Sequence, residues 1–362
     1  MDYKSYFDIP EGISYFNTPG NGLLPKSHHA WRRQREYDFF NPKGDLREQQ
    51  GPFIDTVKAA FGGMFNCPTA NIFAVPNFSF GFNTLMEGLD SSLSCALLHE
   101  DYPSLNYPVL YRGFPVEWIT VDAAIETNIR AVVATKKPKI LLLSIVQYVS
   151  GVKIDLDFIK QLRNDFPDLL IIGDATQYLG TEPFDFLASG FDAVGGSGYK
   201  WLMAGFGNGY FMVSDRLKAM LYAKAQQMDR PTEAMWSNKT ILNTFFEPGH
   251  QDTLSHGTLL QSINFFNAIG LENVQAYLNE LRDYAYQAFK KHNLLLPIAE
   301  QRALKSSVVN LQIPPEWYPQ LLELGIRCFP RGGGIRIGLH IYNDKTDIDY
   351  LIKSIERIKN EL

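Results

Sequence analysis

Cysteine is scarce in this chain: 362 residues carry three, at positions 67, 95 and 328. The count is odd and no pair stands at a CxxC spacing, which excludes a zinc knuckle and a complete disulfide framework and makes a reducing cytoplasm the expected compartment. Basic charge is also in short supply. With 34 Lys and Arg against 39 Asp and Glu there is no stripe to hold a polyanion, so no nucleic-acid partner is expected. Long apolar runs are missing too. The longest, Ile140 to Val146, is interrupted by Ser144, and the opening MDYKSYFDIPEG lacks the basic-then-apolar order of a signal peptide. No membrane partner is expected. What is present, 45% hydrophobic and 20% charged residues, is the composition of a globular protein. The length exceeds what one core usually fills, so a large domain with a smaller companion is expected.

From Asn71 to about Ser214, short runs of Val, Ile, Leu and Phe alternate with longer helix-like stretches. Candidate strands are Ile72 to Val75, Ala96 to Leu98, Val116 to Ile119, Ile140 to Val146, Leu169 to Ile172, Ala193 to Gly195 and Gly209 to Val213. Their apolar character is continuous, which predicts an α/β fold with a largely parallel sheet covered by helices on both faces. Ligands of such sheets bind beyond the strands' carboxyl ends. From Leu271 the texture shifts to an amphipathic helix ending near His292, strand pieces around Val308 to Ile313 and Ile335 to Leu339, and a charged helix from Asp347: a smaller α+β unit. The stretch from Gln226 to Thr253 has little periodicity and reads as a long surface excursion.

The most informative segment is LLIIGDATQYLGTEPFDFLASGFDAVGGSGYKWL, Leu169 to Leu202. One apolar strand delivers Asp174 and Gln177, and a neighbouring one ends in the turn Gly195-Gly196-Ser197-Gly198 before Lys200. A lysine that forms a Schiff base must be partly deprotonated, which burial provides, and a strand-end carboxylate suits a protonated ring nitrogen. Taken singly, each piece has a plainer reading: the Asp as a helix cap, the Lys as a solvated side chain. GGSGYK and GFGNGY invite comparison with nucleotide loops, but Tyr199 breaks the first motif and Tyr210 the second.

Together, Asp174-Ala175-Thr176-Gln177 and Ser197-Gly198-Tyr199-Lys200 resemble the cofactor signature of the class V pyridoxal-phosphate enzymes, a family of aminotransferases, cysteine desulfurases, kynureninases and isopenicillin-N-epimerase-like proteins. Tyr15 to Gly22 is similar to the family's N-terminal active-site loop, and Ile335-Arg336-Ile337-Gly338 with Ile341-Tyr342-Asn343 to its carboxylate-binding segment. The resemblance implies fold type I: a mainly parallel seven-stranded sheet in a large domain of residues 16–265, and a small domain of residues 1–15 plus 266–362. It implies Lys200 as Schiff-base lysine and proton shuttle, Asp174 on the pyridine nitrogen, Gln177 on the phenolic oxygen and Tyr102 stacked on the ring. Phe78 (through its backbone), Ser79 and Ser197 would hold the phosphate, before a helix-like run from Phe80 to Leu89. Thr258 in His256-Gly257-Thr258, opening a helix-like run, would reach the phosphate of the other subunit, which implies a homodimer with shared active sites. Arg336, and Asn17 in the N-terminal loop, would bind the substrate, the arginine through its carboxylate. His28, His29, Tyr148, His250 and Arg331 are weaker candidates for the pocket.

Three departures from the family pattern bear on the reaction. Cys328 stands close to Arg336 within the strand-like Ile326-Arg327-Cys328-Phe329, which reads as a buried structural thiol and disfavours desulfuration. Tyr199 replaces a frequent His before the lysine, and Gln147-Tyr148 a frequent Ser-Asn. The expected activity is transamination of a small amino acid. An epimerase or lyase, a desulfurase-like enzyme and a cofactor-binding regulatory protein are the alternatives.

Overall fold

The computed structural model describes residues 2–41, 46–230, 232–233, 236 and 239–361. Its centre is a seven-stranded sheet built from β2 (Ile72–Val75), β3 (Cys95–Leu98), β4 (Val116–Ile119), β5 (Ile140–Ser144), β6 (Leu170–Asp174), β7 (Ala193–Ser197) and β8 (Gly209–Val213). In space they run β2-β8-β7-β6-β5-β3-β4. Only β8 opposes its neighbours; the remaining pairs are parallel. The apolar runs are continuous because both faces are covered: Leu141, Leu143 and Ile171 enter one hydrophobic cluster, and Ile140, Leu142, Leu170 and Ile172 the other.

The strand ends differ in detail from the expectation. β5 stops at Ser144, after which Val146 makes only an isolated bridge to Lys153. β7 extends through Gly195, Gly196 and Ser197, paired to β8, rather than turning at them; the two glycines are needed there because a methyl group would run into the rings of Phe211 and Tyr210 on β8. The helix after β2 begins at Phe78, not Phe80, capped by Asn77, whose Oδ1 accepts from the Phe80 N–H at 2.9 Å.

A short parallel pair, β1 (Ser14–Tyr15) with β10 (Ile326–Arg327), and an antiparallel sheet ordered β11 (Phe329–Arg331), β12 (Gly334–Gly338), β9 (Val308–Leu311) complete the strands. The run Ile326 to Phe329 is thus two strands split at buried Cys328. The helices Leu271–Lys291 and Lys345–Glu361 pack on this sheet in a third cluster with Phe16, Val309, Ile335 and Ile337, while Tyr3 and Phe7 join the cluster of the large sheet. Within the stretch read as an excursion, Ile241–Phe246 is a helix closed by a Thr240/Asn243 capping box, and Phe246 stacks on Phe73 of β2. Residues 231, 234–235 and 237–238 of that stretch lie outside the described residues. Among the described residues no helix is long and apolar enough to cross a membrane.

Candidate active site

Parallel strands β3, β5 and β6 end at one edge of the sheet, and the register sets Ser144 beside Asp174 and Asp174 beside Gly195. Beyond that edge lies a cavity of about 340 Å³. It is lined by Phe78, Ser79, Tyr102, Asp174, Gln177, Ser197 and Lys200, all expected from sequence, and also by Ser144, Tyr148, Thr176, Tyr199 and Phe206.

Its floor is tightly bonded. Asp174 Oδ1 accepts from the Thr176 N–H at 2.8 Å, and Thr176 Oγ1 accepts from the Ser197 N–H at 3.2 Å. Gln177 Oε1 accepts from the Trp201 indole at 2.8 Å while its Nε2 donates to Pro19 O at 3.1 Å, which fixes the amide and leaves one N–H on Nε2. Trp201, fully buried behind Lys200, carried no signal of this role in the sequence. Burial pushes Asp174 above the usual carboxylate range, with the Thr176 bonds and the Lys200 charge opposing and the neighbouring Asp101 carboxylate adding to the rise. Burial likewise depresses the Lys200 amine; Asp174 opposes this, and Arg336 and Arg331 deepen it. Lys200 Nζ lies 5.8 Å from the centre of the Tyr102 ring.

Asp101 is a second buried carboxylate that sequence reading missed. It accepts from the Ser144 N–H at 2.8 Å, the Ser144 hydroxyl at 2.6 Å and the Tyr102 N–H at 2.7 Å, so it joins the ends of β3 and β5 and sets the backbone under Tyr102. Ser144, which looked like an interruption of an apolar run, is its partner. The available signal was the position of Asp101 just past an apolar strand.

At the opposite end, the helix Phe78–Glu87 points its N-terminus at the cavity, with Ser79 in the first turn and the Phe78 N–H donating to Ser197 Oγ at 2.9 Å. The N-terminal loop closes the rear. Gly22 N–H donates to Tyr199 O at 2.8 Å, and any side chain at Gly22 would strike the Lys200 carbonyl. Asn17 sits in this loop with its Oδ1 buried and unbonded, but it does not line the cavity. Arg336, on β12, is buried and donates to Tyr148 O at 2.7 Å; its Nε is unbonded, and no described carboxylate pairs with it.

The helix around Thr258 begins earlier than expected. The helix there is Thr253–Ile269, capped by Asp252, so Thr258 lies well inside it. Its hydroxyl donates to Leu254 O and accepts from Arg32, fully buried and away from the cavity lining. The helix starts early because Asp252 takes up the Leu254 and Ser255 N–H groups. Of the weaker candidates, Tyr148 lines the cavity, whereas buried His28 bonds Ser262, and exposed His29 and His250 face Asp8 and Gln50.

Residues 109–351 match the class-V aminotransferase family. An uncharacterized aminotransferase of Schizosaccharomyces pombe is 25% identical over 236 residues, 61% of this chain; the match spans 59% of that protein's length. Among solved structures, an apo cysteine desulfurase of Thermococcus onnurineus superposes with a TM-score of 0.84 at 14% identity, over 100% of this chain and 98% of the other. The Escherichia coli cysteine desulfurase CsdA gives 0.82 at 15% identity, over 99% and 98%. The cystine C-S lyase C-DES, in complex with cysteine persulfide, gives 0.82 at 17% identity, over 94% and 96%. At these identities the likeness is one of fold. A depressed lysine, a buried carboxylate and a helix N-terminus around one cavity suit an aldehyde, a basic ring nitrogen and a phosphate on a single group. The chain belongs to the class V aminotransferase family, fold-type-I enzymes whose cofactor is pyridoxal 5'-phosphate.

Proposed function

We propose that the chain is an aminotransferase for a small amino acid, with Lys200 as its single proton-transferring base. Bound pyridoxal phosphate supplies the electron sink for negative charge at the substrate Cα. Lys200 Nζ, lowered by burial to about 7 and so partly neutral near neutral pH, would take the Cα proton and return it on the same face. Asp174 would hold a proton at the ring nitrogen, and the remaining Gln177 N–H would bond the phenolic oxygen. Ser79 and Ser197 would hold the phosphate, with the Phe78 N–H fixing Ser197 Oγ behind it, and Tyr102 would cover the ring. Arg336 binds the substrate α-carboxylate through its flat fork, and Asn17 offers a free amide oxygen nearby in the loop.

The observation that carries this reading is the single base. Apart from Lys200, the titratable groups on the substrate side of the lining are phenols, and burial raises both Tyr148 and Tyr199, the latter to about 12. An epimerase needs a second proton donor on the opposite face; these phenols are poorly poised to cycle. A desulfurase needs a reachable thiol, yet Cys67, Cys95 and Cys328 are all buried, each raised to about 12, and none lines the cavity.

The same reading keeps residues 16–265 as a cofactor domain and 1–15 plus 266–362 as a smaller one, and takes the protein as a cytoplasmic homodimer. Supporting the dimer, large rings stand in solvent: Phe206 at the cavity mouth is 68% exposed and Phe40 81%. The test is spectroscopic and chemical. Purified protein should show the visible band of lysine-bound cofactor, lost in Lys200→Ala, and an amino-acid panel should yield keto acids, at least about 10²-fold more slowly in the variant. Exchange of the α-proton without keto acid would replace this reading with epimerisation, and keto acid with free ammonia would replace it with elimination.

A further inference from the structure

Two arginines share one face of the small antiparallel sheet. The β11–β12 register sets Phe329 opposite Arg336 and Arg331 opposite Gly334, and cross-strand partners point to the same side. Arg331 and Arg336 are therefore diagonal neighbours on a single face. Asn310 of β9 lies opposite Arg336 and donates to the carbonyls of Val149 and Arg331, while Arg336 donates to that of Tyr148. The face is thus tied to the loop that carries Tyr148 to the cavity wall. The Arg331 guanidinium lies 5.1 Å from the centre of the Phe329 ring, a contact that limits where its fork can point.

Like charges at such positions repel, and among the described residues neither arginine makes an ion pair; Arg336 is buried, whereas Arg331 is exposed and free to reach a ligand. Among the described residues, the only carboxylate lining the cavity, Asp174, is committed to the floor. Neither arginine lines the cavity itself, but the Arg331 charge acts on Arg336, Tyr148 and Lys200. An α-carboxylate needs one of the two forks. We infer that the second fork reads a second carboxylate, so that the substrate is a dicarboxylic amino acid held by Arg336 at its α-carboxylate and by Arg331 at its side chain. This rests on the proposed function and names its substrate class.

The test is calorimetric titration of the holoenzyme with succinate, glutarate and butyrate, beside the relative kcat/KM for acidic and neutral amino acids. The better diacid should bind at least tenfold more tightly than butyrate. Arg331→Gln should bring that ratio to within about twofold, Arg331→Lys should keep part of it, and Arg336→Gln should weaken all three acids. A ratio near one in the wild type, or a ratio that survives Arg331→Gln, overturns the inference. A diacid preference that depends on Arg331, in a protein that transfers no amino group, would sustain the paired anion site and sink the aminotransferase reading. Transfer from neutral amino acids without any diacid preference would do the reverse.

Discussion

The floor of the cavity and the β11–β12 sheet beyond its Tyr148 wall are built on opposite terms. On the floor, at the ends of β3, β5, β6 and β7, the carboxylates and the Gln177 amide already have protein partners: Asp174 with Thr176, Gln177 with Trp201 and Pro19, Asp101 with Ser144 and Tyr102. On the β11–β12 side the charges stand unanswered, with Arg336 Nε unbonded and Asn17 and Asn310 each holding a buried, unbonded oxygen. Buried polar groups in native proteins are nearly always satisfied, so a cluster of exceptions marks a place completed by something else. The floor is preorganised for a resident group. The other side is arranged for a visitor.

The sharpest way to break this contrast is at Asp174. Asp174→Asn keeps the shape and the Thr176 contact but removes the charge, and amino-group transfer should fall about 10³-fold, as when a preorganised electrostatic contact is lost. The visible cofactor band should remain, because the Ser79, Ser197 and Lys200 contacts are untouched. A rate within tenfold of wild type would show that the floor's charge is scaffolding. Next in size is Asp101→Asn. Its three accepted hydrogen bonds all come from donors, so an amide NH₂ must face one of them, leaving a buried donor unpaired. Urea unfolding should register a loss of about 1–3 kcal/mol. A neutral result would mean that Asp101 is already protonated in the fold, the direction in which burial pushes it.

The contrast also explains what could be read from sequence. The floor is made of short segments at the ends of consecutive strands, so Asp174, Gln177 and Lys200 are close in the chain and announce themselves by residue type after apolar runs. Its supports were hidden where the partner is remote or the residue looks ordinary: Trp201 among large apolar residues, Ser144 inside an apolar run, Asp101 distant in sequence from Ser144. The helix around Thr258 starts before Gly257-Thr258, because the stronger acceptor Asp252 caps it earlier. The pairing of Arg331 with Arg336 depends on hairpin register, and β11 was not legible as a separate strand. The sheet was recovered almost strand for strand because burial on both faces writes itself as unbroken apolar runs.

The smallest effect concerns the joint between the two sides. His340, just beyond β12, donates from Nε2 to Trp201 O at 3.0 Å and accepts the Ile341 N–H at Nδ1 at 2.8 Å, so it ties the arginine-bearing strand to the segment that carries Lys200. Trp201 O can only accept, which places the proton on Nε2 and leaves Nδ1 as the atom that acidification must protonate, at the loss of a hydrogen bond. Burial pushes this imidazole down to about 4. Between the ordinary histidine value, about 6.5, and that depressed value the unfolded chain binds a proton that the folded chain refuses, so stability falls with falling pH, by up to about 1.4 kcal/mol per pH unit. Above pH 6.5 both states are neutral and the contribution is flat. In His340→Gln the joint is weakened at every pH, but this pH-dependent loss is gone. The gap in unfolding free energy between wild type and variant should therefore be widest at pH 7 and narrow steadily as the pH is lowered to 5. A gap that stays constant over that range would mean that His340 titrates alike in both states, and that the two sides of the cavity are not joined through a neutral imidazole.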